Sequence, residues 1–209
     1  MSDIHHYGLF VLAAIVLILT PGQDTLYILG RSLSGGLRAG VASALGITAG
    51  SVVHTFAAAA GLSLLLRAFP VAFVAVKLCG AAYLIYLGAR LLLARHTGDD
   101  LTIASPPSSA RRAFVRGALS YLLNPKVALF FLAFLPQFID PQGASKSVAF
   151  LALGATFVSM GGIWCLVLAC AAAARLRIFL VRDAVRRRRI DRGVGALFML
   201  LGARLAWGR

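Results

Sequence analysis

Asp24 is the one charged residue between positions 8 and 29, and it closes the string Thr20-Pro21-Gly22-Gln23-Asp24. A carboxylate in such an apolar run costs about 2.5–3.5 kcal/mol to insert at mid-membrane, so it faces a partner or water. There it can attract an ammonium group or exchange a proton. A second polar string, Asn124-Pro125-Lys126, interrupts another apolar run and offers a cation. Lys126 and the amides freed at the breaks are suited to receive a carboxylate. Tyr27 and Arg31 follow Asp24 at i+3 and i+7 and share its helical face. Gln137 lies eleven residues after Lys126 and shares that face if the helix runs on past Pro125. Structural readings of the same residues are an Asp24–Lys126 ion pair, or Asp24 bonded to its own turn. His54 follows Gly46 and Gly50 along one stripe, as a packing residue or a proton relay. Lys77 can snorkel outward or meet a substrate, and Tyr83 and Tyr86 fit a core or interface role.

The elements that carry these residues must be membrane helices. The chain has 209 residues, 60% of them hydrophobic and 13% charged, with a mean hydropathy of +0.86. Soluble domains run to about 25% charge. Pro21 removes a backbone donor and crowds the preceding turn, and such a break inside a bilayer is tolerated only against protein or a cavity. Six spans are predicted, at 7–30, 39–66, 70–94, 114–138, 147–174 and 191–207. Residues 1–209 then form one transporter domain: a three-helix half (1–94), a cytoplasmic linker (95–113) and a second three-helix half (114–209). Helices one and four, interrupted at Pro21-Gly22 and at Pro125, hold the same rank in halves that run in opposite directions. This is the layout of an inverted repeat with its site at the breaks.

Charge sets the orientation. The 21 Lys and Arg stand against 7 acidic residues, all of them Asp. With both termini outside, fifteen basic residues fall on the inner side, from Arg31 and Arg38 through Arg90–Arg116 to Arg175–Arg192, against Arg67, Lys146 and Arg209 outside. The run Arg186, Arg187, Arg188 and Arg189 reads as a topology determinant on anionic headgroups. No aromatic platform accompanies it, which argues against nucleic acid. Cys79, Cys165 and Cys170 sit in apolar runs without CxxC spacing and read as buried small hydrophobes. Met1 to Tyr7 lacks Lys and Arg, which argues against a cleavable signal peptide. Gly46 to Gly50 matches GxxxG, a small face that suits a homo-oligomer and internal packing equally.

The sequence carries no Walker A string, HExxH, nucleophile elbow or dinucleotide fingerprint. An enzyme is not expected, nor a cofactor or a resident metal, and transport would draw on an ion gradient or on the substrate's own.

At these residues the chain resembles the lysine exporter / homoserine-threonine resistance (LysE/RhtB) family of bacterial amino-acid exporters. The likeness rests on Pro21-Gly22, Arg31-Ser32, Gly35-Gly36 with Gly40, Gly46 with Gly50, His54 and Gly61-Leu62. It continues through Lys77, Gly80 to Leu84 and Leu87-Gly88, then Phe114 with Gly117, Asn124-Pro125-Lys126 and Phe131 to Phe138. It spans nearly the whole chain except the linker and the Arg-rich loop. Where the family's commonest residue after Pro-Gly is a further Pro, this chain has Gln23. The resemblance implies export of amino acids or related metabolites across the bacterial cytoplasmic membrane, driven by proton motive force. Alternatives are a metal or cation exporter of the wider superfamily, which would want clustered His, Cys or carboxylate ligands, and a membrane enzyme or assembly factor.

Overall fold

The computed structural model describes residues 3–20, 22–68, 70–93, 109–140 and 143–173, with ten helical positions between Arg192 and Trp207. Pro21, most of the linker and Arg186–Arg189 lie outside the described residues, as do the side chains of Lys77, Tyr83, Pro125 and Lys126.

The apolar string from Tyr7 forms helix α1, Tyr7–Leu19. It stops because Thr20 precedes Pro21, and a residue before proline is pushed out of the α region; Thr20 is extended at φ −67°, ψ 118°. Its hydroxyl donates back to the Val16 carbonyl at 2.7 Å, so the break is internally bonded. Helix resumes as α2, Gln23–Ala68, which is divided at Gly36 by φ 69°, ψ −171°. That is a left-handed-side φ with extended ψ, open only to glycine. The chain reverses there: a Cβ on Gly40 would meet the Ser32 side chain, and Gly117 faces both Tyr27 and the Ser43 carbonyl. Residues 23–35 and 37–68 therefore form an antiparallel hairpin.

Helix α3, Pro70–Leu93, starts on proline, whose missing N–H costs nothing at a first helical position. Helix α4, Ala110–Leu122, is capped by the Ser109 side chain, which accepts from the Arg112 amide at 3.4 Å. After Leu123 and Asn124 the chain starts again on Pro125 as α5, Pro125–Ala133, and tightens into a 3-10 helix at Leu135–Phe138. Helix α6, Lys146–Ala173, packs along α2. The last segment lies on α3, where Gly88 abuts Gly195 and Met199, and Gly202 abuts Ala81.

Several expectations change. Helix one extends past residue 30, so Arg31 is buried at 4% exposure within α2 and is not a loop charge; the charge bias becomes fourteen to three. The end of the expected linker is helical from Ala110. The shared face of Lys126 and Gln137 is lost, because the α-helix ends at Ala133 and Gln137 sits in the 3-10 turn. Cys79 and Cys170 point outward, and Cys165 is half-buried. Among the described residues two stretches are long and apolar enough to cross a membrane, Gln23–Leu62 and Lys146–Ala173, with Tyr7–Leu19 a shorter apolar helix.

The core is aromatic at one end. Phe10 of α1 meets Phe138 edge-on at 5.3 Å, and Phe130 of α5 stacks on Phe134 at 4.6 Å and meets Phe157 of α6 at 5.0 Å. The N-terminal residues are tied to the same end. The His5 amide donates to the Phe138 carbonyl at 2.8 Å, and the Asp140 amide to the Asp3 carbonyl at 2.9 Å. The Ser145 amide donates to the Asp3 carboxylate at 2.7 Å, and His5 lies 3.5 Å from Asp140.

Elsewhere the helices approach through small residues. A Cβ on Gly46 would strike the Phe114 carbonyl, and one on Gly50 would lie 3.0 Å from Tyr121 Cβ. The GxxxG face is thus occupied by α4 of the same chain, and the packing reading of that stripe is the one the structure realises. Gly61, further along, has open space. Overpacking costs about 1–3 kcal/mol. Gly46→Ala is therefore expected to lower the unfolding temperature in detergent by several degrees, while Gly61→Ala leaves it within about one degree; a thermal-shift series on the purified protein reads both.

Candidate functional site

Both interruptions meet at one cavity. Its volume is about 90 Å³. Thr20, Gly22, Asp24 and Thr25 line it from the α1–α2 break, and Ile47, Thr48 and Ser51 from the returning arm of α2. Tyr121 comes from the last turn of α4, and Val127 and Phe130 from the start of α5. Helix α6 closes it with Phe157, Trp164, Cys165 and Leu168.

The lining is divided in character. Thr20, Asp24, Thr48, Ser51 and Tyr121 bring oxygen atoms, whereas Leu17, Val127, Phe130, Phe157 and Leu168 bring hydrocarbon. Asp24 occupies the first turn of α2, where unsatisfied amides and the helix dipole favour negative charge. The local sequence thus allows a carboxylate at a depth where an isolated one would be costly. The Tyr121 hydroxyl is directed to Ser51 Oγ at 3.4 Å. A small molecule with a cationic end and an apolar body has complementary groups here.

The other residues singled out from the sequence are placed differently. Gly22 lies with Asp24 in the cavity wall. Tyr27 does not: its hydroxyl donates to the Ala113 carbonyl at 2.9 Å, and Arg31 lies 5.4 Å above its ring. That pair ties the first arm of α2 to α4. Asn124 is the hinge between α4 and α5; its amide donates to the Tyr121 carbonyl at 3.1 Å and its carbonyl accepts from Val127 and Ala128. Gln137 sits in the 3-10 turn, away from the cavity lining. His54 lies beside the cavity, stacked on Phe131 at 5.6 Å and 6.0 Å from the Tyr121 ring. Its Nε2 is buried with no hydrogen-bond partner among the described residues, a state that costs about 1–3 kcal/mol. Lys126 and Pro21, named from the sequence, fall outside the described side chains. No group of three or more His, Cys, Asp or Glu that could hold a metal occurs among the described residues.

Two residues escaped the sequence reading. Tyr121 and Ser51 look like ordinary core residues until α4 is laid on α2, 70 positions away. Gln23, marked in the sequence only as a departure from the pattern of the family it resembles, has a partner here: its side-chain amide donates to Ser120 Oγ at 3.2 Å. It joins the first break to the turn before the second.

The LysE type translocator family matches residues 15–209. A leucine efflux protein of Salmonella choleraesuis is 34% identical over 151 residues, covering 72% of this chain and 71% of the relative, and that of Salmonella typhimurium matches equally. An uncharacterized membrane protein of Pseudomonas aeruginosa is 33% identical over 205 residues, covering 94% and 93%. No solved structure matches.

Cys165 offers a direct probe of the cavity's field, since it shares the wall with Asp24 while Cys79 and Cys170 face outward. In a Cys79→Ser/Cys170→Ser background a cationic aminoethyl methanethiosulfonate is expected to label Cys165 at least about tenfold faster than the anionic sulfonatoethyl reagent. Adding Asp24→Asn should abolish the preference; mass spectrometry of timed samples measures it.

Proposed function

The chain belongs to the LysE type translocator family, and from that premise we propose that it is a secondary active exporter of amino acids or closely related metabolites. We place it in the bacterial cytoplasmic membrane and infer that proton motive force drives it. The observation that carries this reading is the cavity where two interrupted helices meet around Asp24. The leucine efflux proteins among its relatives support an aliphatic amino acid as substrate, and the apolar wall of Phe130, Phe157 and Leu168 suits one.

The proposed architecture has six spans in two inverted halves, in a single domain. The first half comprises the interrupted helix 7–35, the returning arm 37–68 and α3. The second comprises α4 with α5 and the 3-10 turn, then α6 and the last segment. Both termini are placed outside, with Gly36 and the Arg-rich loop toward anionic lipid on the inner side. Each half begins with a broken helix, and the breaks are the flexible points on which alternating access turns.

Asp24 is the coupling group in this reading. Deprotonated, it binds the substrate ammonium; protonated, it releases it, so substrate and proton occupy it in turn. The substrate carboxylate falls to Lys126 and to the amides at the start of α2. One proton crossing 100 mV is worth about 2.3 kcal/mol, which sustains a roughly fiftyfold gradient of a net-neutral substrate at 1.36 kcal/mol per decade.

Proteoliposomes preloaded with labelled amino acids test the reading. The wild type is expected to move at least one of them in a protein-dependent, gradient-sensitive manner, leucine being the first to try. Asp24→Asn should reduce that flux to background while membrane insertion and elution in detergent stay as in wild type. Full activity in Asp24→Asn makes the residue structural, and a panel with no transported member, in cells that gain no resistance to any, refutes the exporter.

A further inference from the structure

Resting on the proton-driven reading above, we infer that His54, Tyr121 and Ser51 form the route by which protons reach Asp24. Tyr121 and Ser51 border the cavity without being assigned to either charged end of the substrate, and His54 Nε2 has no contact that accounts for its polarity. That atom is buried with no hydrogen-bond partner among the described residues, and the His54 ring packs beside those of Phe131 and Tyr121. A buried polar atom left without a partner calls for an explanation beyond packing. The Tyr121 hydroxyl continues the line toward Ser51 Oγ at 3.4 Å, and Ser51, Tyr121 and Asp24 border the same cavity.

The hairpin supplies a direction. At about 1.5 Å per residue from Gly36, Asp24 lies about 18 Å and His54 about 27 Å along the arms. The facing of Ser32 with Gly40, and of Tyr27 and Ser43 with Gly117, keeps the two arms in that register. His54 therefore sits about 9 Å further from the turn than Asp24. With Gly36 inside, it lies between the cavity and the outer surface, where protons arrive. The titratable groups around it are few. Tyr121 faces it from α4, the described contact from α5 is Phe131, and Asp24 and Cys165 border the cavity from α2 and α6.

The step conserves protons throughout. In the conformation described Nε2 has no partner among the described residues, so the first link forms when the His54 ring turns toward the Tyr121 hydroxyl. The proton it carries then passes to the Tyr121 oxygen as the Tyr121 hydroxyl gives its own to Ser51 Oγ. Ser51 releases its hydrogen through cavity water to the Asp24 carboxylate. Each hydroxyl, and the water, finishes with the protons it began with. Histidine is again neutral, and Asp24 is neutral and free of substrate.

The test separates coupling from binding in the full-length protein. Proteoliposomes are assayed with the best wild-type amino acid in two modes: accumulation driven by an imposed pH gradient, and counterflow with no gradient. In His54→Gln and in Tyr121→Phe the ratio of the first to the second is expected to fall at least tenfold from wild type. A ratio within twofold of wild type in both overturns the route, and a fall in one variant alone overturns it as drawn. Loss of both modes together assigns these side chains to packing or binding and overturns it too. Wild type showing counterflow without gradient-driven accumulation refutes proton drive itself, and wild type showing neither refutes the exporter.

Discussion

Every backbone amide and carbonyl held in apolar surroundings has to find its partner within the protein, and a chain that breaks a helix there must satisfy the groups it frees. At the first break, Thr20 returns its hydroxyl to Val16, and the first turn of α2 places Asp24 where amides lack helical partners. At the second, Asn124 takes the corresponding bonds through its own amide and carbonyl. The rest of the cavity follows from these two settlements. Polar backbone needs polar or wet company, so the hydroxyls of Thr48, Ser51 and Tyr121 gather at the breaks while the phenylalanines fill the far side.

Close approach of the helices makes the meeting possible. Gly46 and Gly50 on α2 and Gly117 on α4 bring backbones together without intervening side chains, and the proximity sets Tyr121 and Ser120 against Ser51 and Gln23. The aromatic cluster of Phe10, Phe130, Phe134, Phe138 and Phe157 holds α1, α5 and α6 at one end, where residues 3–5 are also tied down. One end of the helix set is thus densely bonded, and the cavity lies beyond it.

Much of this was legible in the residues. The polar strings in two apolar runs stand where α1 and α4 end, and the Asp within the first of them lines the cavity, because both features carry costs that only a built environment offsets. The extent of helix one was not legible: Arg31 looked like a loop charge, and only the Tyr27 ring and α4 make a buried place for it. Gln137 was misplaced because hydrophobic periodicity does not reveal where an α-helix tightens to 3-10. Tyr121, Ser51 and Gln23 depend on the register of α4 against α2, a relation between positions 70 to 97 residues apart. No spacing within either helix encodes it.

The threonines of α2 point to a mechanical property. Thr48 and Thr55 each give their hydroxyl to a carbonyl of their own helix, Ala44 and Ser51. Toward α6 each presents both its methyl group and its hydroxyl oxygen to a glycine, Thr48 to Gly162 and Thr55 to Gly154. With their hydroxyl protons committed within α2, these threonines donate no bond across the α2–α6 contact. A shift of α6 along this contact would therefore break no hydrogen bond donated by either threonine.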